Sequence, residues 1–204
     1  MAETYLDKVY TVRGDEETRA LYDDWAGSYD AEVGGAGYAT PGRVADALAG
    51  LVAEADRGRP LFDFGCGTGL GGAALAARGF TDIHGCDMSP GMLAEAGKRG
   101  IYADLTASDG TAPKSLGRFA FVTAIGVISA GAALAPLLPA LFDAMAPGAL
   151  LAFSYNGHTL EDAVYMDTLG ALLDRPDATL EFSEDGPHLP DLDLPSRVMV
   201  IRKS

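Results

Sequence analysis

Leu61-Phe62-Asp63-Phe64-Gly65-Cys66-Gly67-Thr68-Gly69-Leu70-Gly71-Gly72 is the stretch whose reading decides the fold. A short apolar run ends in a turn packed with glycine, and the turn leads into a helix. Glycine has no Cβ, so a ligand can lie directly against the backbone N–H groups at the start of that helix. Asp63 stands at the end of the strand, two residues before the first glycine. A carboxylate there repels a pyrophosphate and attracts an ammonium or sulfonium group.

Working outward, strands and helices alternate. Residues 61–64 read as the first strand. Residues 68–77 read as a helix whose Gly71, Gly72, Ala73 and Ala74 allow close packing on a sheet. Further strands are expected at 81–86, 101–104, 119–125 and 149–155, and further helices at 90–98, 134–145 and 160–173. Ser89 is the expected N-cap of the helix at 90–98. Two extended segments, 179–183 and 197–203, flank a loop rich in Pro and Asp, which predicts a closing antiparallel pair. Continuous apolar strands alternating with helices imply a mostly parallel sheet covered on both faces. Upstream, Asp15-Glu16-Glu17-Thr18 opens a helix that runs through Leu21, Tyr22 and Trp25. Gly34-Gly35-Ala36-Gly37 breaks the pattern. Thr40-Pro41 then starts a second helix, with Thr40 as N-cap and Val44, Leu48, Leu51 and Val52 on its apolar face.

At 204 residues the chain fits a single α/β domain, with an N-terminal helical lid over 1–58 and a core over 59–204. The net charge of −14 favours solubility and opposes nucleic-acid phosphate and anionic membranes. Cys66 and Cys86, the only cysteines, read as small core residues in a reducing compartment. No basic leader with an apolar run opens the chain, and no segment reads as a membrane span, so a cytoplasmic location is the expectation. Acidic residues do not cluster with histidines, and no metal site is expected.

The glycine turn also satisfies G-x-G-x-x-G at Gly67 to Gly72, the dinucleotide fingerprint. Asp87 lies about twenty residues beyond the loop, where a carboxylate can accept both hydrogens of a ribose diol. That feature fits a nicotinamide dinucleotide and S-adenosylmethionine equally. Met88 is either an adenine contact or a core methionine. Charge separates the two ligands. Asp63 and Asp87 make the site acidic, with no Lys or Arg nearby in sequence. S-adenosylmethionine has a net positive charge, whereas a dinucleotide has two negative phosphates, and at short range the sign favours the sulfonium. The helical segment before the first strand and the antiparallel closing pair also differ from a dinucleotide domain.

Over nearly its whole length the chain resembles the class I, Rossmann-like S-adenosylmethionine-dependent methyltransferases. Asp63-Phe64-Gly65-Cys66-Gly67-Thr68-Gly69 matches that family's first motif and Asp87-Met88-Ser89 its second. Tyr22-Asp23-Asp24-Trp25-Ala26-Gly27-Ser28-Tyr29-Asp30, with Gly37-Tyr38-Ala39-Thr40-Pro41, is similar to the N-terminal part of the methyltransferase-like proteins from the Williams–Beuren chromosomal region. Phe153-Ser154-Tyr155-Asn156-Gly157-His158-Thr159-Leu160 is similar to the same subgroup after its fifth strand. The resemblance implies a doubly wound, seven-stranded sheet with one antiparallel strand. It implies that Gly65, Cys66, Gly67 and Gly69 lie along the cofactor, that Asp63 holds its amino group, and that Asp87 binds the ribose with Met88 against adenine. Asp104 and Leu105 match the position that meets the adenine amine. Ala124, Ile125 and Gly126 pass the methionyl part. Trp25 and Tyr29 belong to the lid, with Tyr29 a partner for the methionyl carboxylate. One departure stands out: many relatives open the fourth strand with an acidic residue, and this chain has Phe119-Ala120-Phe121.

Methyl transfer is an in-line displacement for which positioning and desolvation can suffice. A base is needed only for a protonated acceptor. His158 is the candidate base facing the substrate side, or else a loop histidine capping the next helix. Tyr155 is the second catalytic candidate. Tyr38 and Asn156 are possible acceptor contacts, His188 could line the entrance, and His84 reads as structural. The implied activity is methyl transfer from S-adenosylmethionine, leaving S-adenosylhomocysteine, to a small-molecule acceptor by a monomer or homodimer. A non-catalytic S-adenosylmethionine-binding protein and an NAD(P)-dependent oxidoreductase are the alternatives.

Overall fold

A computed structural model describes Tyr5, residues 14–129 and residues 132–204. Among the described residues, the elements before the sheet include α1 (Asp15–Trp25), α2 (Tyr29–Gly35) and α3 (Thr40–Leu51). Strands β1 (Leu61–Phe64), β2 (Ile83–Asp87), β3 (Tyr102–Ala107), β4 (Phe121–Ala124) and β5 (Leu150–Asn156) follow, with β6 (Ala178–Leu189) and β7 (Leu194–Lys203) at the end. Between them run α4 (Leu70–Ala76), α5 (Pro90–Lys98), α6 (Leu137–Ala144), α7 (Gly157–Glu161) and α8 (Ala163–Leu173). The sheet order is β3-β2-β1-β4-β5-β7-β6. β1 to β5 run parallel, and β7 is antiparallel to both of its neighbours. This is the doubly wound, mostly parallel sheet with one antiparallel strand that the sequence implies.

Strand parity sends alternate side chains to opposite faces. Phe62, Phe64, Val122, Leu151 and Phe153 join α6 and α8 in one core. Leu61, Ile83, Phe121, Leu150 and Ala152 join α3 and α4 in the other. Asp63 shares parity with Leu61, and Thr123 with Phe121, so both polar side chains point toward the α3 and α4 face. Among the described residues no helix is long and apolar enough to cross a membrane.

Several elements differ from expectation. Residues 29–35 form a helix that the glycine run had masked. The helix expected over 160–173 is two, because the Asp162 side chain accepts from Val164 N–H and starts a new one. The expected Pro- and Asp-rich loop is mostly strand: β6 continues to Leu189, and only Pro190–Leu192 and Asp193, with φ of 52°, turn the chain. Two register shifts in the β6–β7 pair, between Leu180 and Phe182 and between Pro187 and Leu189, absorb residues that read as loop. Ser89 caps α5 as expected, its Oγ accepting from Met92 N–H at 3.0 Å. Thr40 caps nothing. Ala39 holds the N-cap position, and the Thr40 hydroxyl turns toward β6 and β7.

Candidate active site

The site is built at the carboxyl ends of β1, β2 and β4, where an open α/β sheet leaves a crevice. Gly65 and Gly67 both have positive φ, 65° and 54°. A Cβ at Gly65 would come within 2.5 Å of Val127 Cγ2, whereas one at Gly67 would meet nothing within 4 Å and would protrude into the crevice. Asp87 braces this turn. Its Oδ2 accepts from Gly67 N–H and its Oδ1 from Ser89 N–H, each at 2.9 Å. Burial pushes the Asp87 carboxyl above its ordinary range, and these N–H donors oppose the push.

Two chambers meet at the turn. The larger holds about 380 Å³. Gly65, Gly67, Asp87 and Met88 line one side of it, residues 108 and 110–112 another, and Thr18, Arg19, Tyr22 and Tyr29 of the N-terminal helices a third. The smaller holds about 40 Å³ among Asp63, Cys66, Thr68, Gly71 and Tyr38. Tyr29, Gly65, Gly67 and Ile125 line both.

Asp63 is only 1 % exposed. The Tyr102 hydroxyl donates to its Oδ2 at 2.8 Å and the Thr123 hydroxyl to its Oδ1 at 2.7 Å. Desolvation raises its pKa from 3.8 to about 6, with the two hydroxyl donors acting in the other direction. Gly72 on α4 makes this arrangement possible, since a Cβ there would lie 2.3 Å from Tyr102 Oη. Cys66 and Cys86 are buried free thiols. Burial pushes the Cys86 thiol up to about 11 and Cys66 further, so neither is an activated nucleophile.

Two carboxylates tie the N-terminal helices to the turn regions. Asp23 of α1 accepts from the Ser89 hydroxyl and from Gly91 N–H. Asp30 of α2 accepts from the Thr68 hydroxyl at 2.5 Å and from Arg99, whose Nε donates to Thr68 O at 2.6 Å.

A second polar group lies beside the smaller chamber. His188, 7 % exposed, packs edge-on to Tyr38 with ring centroids 5.2 Å apart. Its Nδ1 lies 2.8 Å from Thr40 Oγ1, which lies 3.0 Å from Ser196 Oγ. Arg43 donates to Ser196 Oγ and to the carbonyls of Glu184, Pro187 and Ser196. Desolvation, then the nearby Arg43 and His158, push the His188 pKa down from 6.5 to about 4.

Of the residues singled out from sequence, Asp63, Gly65, Cys66, Gly67, Asp87, Met88, Ile125, Gly126 and Tyr29 come together around the chambers. Others do not. Gly69 begins α4 and faces Arg99 and Tyr102. Asp104 and Leu105 lie short of the end of β3, which runs on to Ala107, so Ser108 and Gly110 take the edge position instead. Ala124 is buried in the core. Trp25 is 2 % exposed and stacks on Tyr5 and Tyr22 as the centre of the N-terminal aromatic cluster. Tyr155 is fully buried on the α6 and α8 face against Phe153 and Tyr165, with no partner for its hydroxyl. Parity puts it there, and burial raises its pKa. His158 stands exposed on α7 and lines neither chamber. His188 is buried and does not line an entrance. Sequence reasoning passed over Arg19 and the 108–112 turn, although Asp109-Gly110 is a turn signal and Asp109 Oδ1 holds both Thr111 N–H and its hydroxyl. Among the described residues no group of three or more His, Cys, Asp or Glu could hold a metal ion.

A family model described as a methyltransferase domain matches residues 37–197. Human methyltransferase-like protein 27 is 34 % identical over 158 residues, which is 76 % of this chain and 64 % of that protein. The chain thus spans less than two thirds of this relative's length. A TehB-like SAM-dependent methyltransferase from Corynebacterium glutamicum superposes with a TM-score of 0.62 at 19 % identity, covering 91 % of this chain and 99 % of that one. The magnesium protoporphyrin IX methyltransferase of Synechocystis, crystallised with bound SAM, gives 0.59 at 16 % identity, covering 98 % and 90 %. At such identities the structures share a fold.

Proposed function

The chain belongs to the methyltransferase domain family, and from that premise we propose that it binds S-adenosylmethionine and transfers its methyl group in line to a small-molecule acceptor. The observation that carries this reading is the turn at Gly67. Its backbone N–H is held by Asp87, and its missing side chain leaves space at the junction of the two chambers. When bound, S-adenosylmethionine supplies a methyl group on a positively charged sulfur that is already a good leaving group.

The chain's own residues then bind, orient and exclude water. Each Asp87 oxygen keeps a further lone pair beyond its N–H bond, enough to accept the two hydroxyls of a ribose. Met88 offers a polarizable face to the adenine ring. Asp63, facing the smaller chamber, is the counter-charge for an ammonium group, and a cation there relieves the penalty of its buried charge. Among the described residues, Arg19 is the sole cation lining either chamber. A dinucleotide would therefore meet two carboxylates with one offsetting charge, and a sulfonium cofactor meets the sign it needs. Tyr22 and Tyr29 from the N-terminal helices act as a lid over the junction, and this enclosure fits a small acceptor better than a macromolecule.

Isothermal titration with S-adenosylhomocysteine tests the reading. One-to-one binding in the micromolar range is expected. Asp87→Ala should weaken it at least about a hundredfold, because it removes the ribose acceptor and the brace on Gly67 together. Unchanged affinity in that variant would sink the assignment. A screen of small acceptors with labelled cofactor then tests turnover.

A further inference from the structure

We propose that Tyr38 faces the sulfonium of the bound cofactor and lets the protein distinguish the charged cofactor from its neutral product, with His188 as the residue that positions it. The inference rests on the cofactor reading above. Tyr38 lines the smaller chamber. Its hydroxyl lies over Gly126, where a Cβ would fall 2.6 Å from Oη, and Gly126 lines the larger chamber. The phenol oxygen therefore stands where the two chambers join, beside Ile125, which lines both. With adenosine in the larger chamber and the amino-acid part in the smaller, the sulfur falls at that junction. A phenol oxygen carries partial negative charge. It attracts a sulfonium and the polarised hydrogens of its methyl group, and it has no such attraction for a neutral thioether.

The Tyr38 ring is held by a directed chain. Arg43 Nη1 has only donors and gives one to Ser196 Oγ at 2.9 Å. The Ser196 proton then goes to Thr40 Oγ1, and the Thr40 proton to His188 Nδ1. This assignment uses every buried hydroxyl proton and leaves the imidazole proton on Nε2. Ala39 N–H also donates to His188 O at 2.9 Å, pinning the backbone next to Tyr38 onto β6. A half-buried guanidinium, two buried hydroxyls and a buried imidazole are thus linked in one chain behind a single ring. Such a network gains little net stability over apolar packing, and what it fixes is one geometry.

The test is titration of the folded, ligand-free protein with S-adenosylmethionine and with S-adenosylhomocysteine. Tyr38→Phe should lose roughly three- to tenfold in affinity for the first, the span of an ordinary net hydrogen bond, and stay within about twofold for the second. Thr40→Val, which cuts the link to His188, should shift the ratio in the same direction by less, and Thr40→Ser should restore it. Equal losses for both ligands, or no loss for either, in Tyr38→Phe would overturn the proposal while leaving the cofactor reading standing. Wild-type protein that binds neither ligand would overturn both.

Discussion

Asp63 lines the smaller chamber directly, whereas His188 backs it through Tyr38, and the two walls are made by contrasting means. Asp63 stands at the end of a central strand, and its donors Thr123 and Tyr102 come from β4 and β3 of the same sheet. His188 lies next to the end of the edge strand β6, and its partner Thr40 lies 148 residues away on α3. Asp63 is a buried acid pushed up to about 6, and His188 a buried base pushed down to about 4. Burial therefore pushes both groups toward their neutral forms, which coexist between about pH 4 and 6, while at pH 7 Asp63 is ionised and His188 is not. The difference is one of origin. One wall follows from a contiguous motif on a central strand. The other exists only because a helix and two late strands meet. If the first wall serves ligand binding and the second serves geometry, as proposed, substitutions should separate them.

The largest separation is expected at Arg43, whose guanidinium holds Ser196 and three carbonyls. Arg43→Ala should cost about 4 kcal/mol of stability, because it removes four hydrogen bonds that tie α3 to β6 and β7 and takes the charged donor from buried Ser196. Affinity for S-adenosylhomocysteine should stay within about twofold. Denaturant unfolding and calorimetric titration check the two halves, and a large loss of affinity in folded protein would break the contrast.

A somewhat smaller effect is expected with pH. The Asp63 carboxyl holds its proton in the fold until about pH 6 but releases it near 3.8 when unfolded. Its contribution to stability is full below 3.8 and is lost as pH rises to 6, a span of about 3 kcal/mol. His188 refuses a proton in the fold until about pH 4 but takes one near 6.5 when unfolded. Its contribution is full above 6.5 and is lost as pH falls to 4, again about 3 kcal/mol. Between pH 4 and 6 the slopes oppose, so wild-type stability should be nearly flat. Asp63→Asn should uncover a rising slope and His188→Gln a falling one, in chemical denaturation across that window. Parallel slopes in the two variants would show that one of the two groups titrates normally in the fold.

The smallest effect concerns a residue that resembled a cofactor contact. Asp104 is exposed on β3, three positions short of its end. Asp104→Ala should leave S-adenosylhomocysteine affinity within about twofold, and a tenfold loss would return the residue to the site.

These contrasts follow what a single sequence can and cannot encode locally. The turn from Asp63 to Gly67 was legible because it is one strand–turn–helix unit of residues a few positions apart, and Asp87 because it ends the next apolar strand. The sheet was legible for the same reason, in apolar runs separated by turn signals. Tyr155 shows where such reading stops: a strand places neighbours on opposite faces, so Ser154 reaches Gly126 N–H while Tyr155 is lost in the core. Asp104 and Leu105 failed because a strand end cannot be fixed without its partner, and β2 carries β3 three residues further through the pairing of Asp87 with Ala107. His188 was beyond reach altogether. Its place depends on Pro187 and its neighbours being accommodated by a register shift instead of released into a loop.

The clamps at Asp23 and Asp30 have a kinetic consequence. Asp30 and Asp23 of the N-terminal helices each grip a hydroxyl close in sequence to Gly67 or Asp87: Thr68 follows Gly67, and Ser89 lies two beyond Asp87. With the proposed cofactor seated on that turn, the two grips would act as a latch on the N-terminal side, and loosening one at Asp23 or Asp30 would speed the exchange of spent for fresh cofactor while leaving the floor beneath it unchanged.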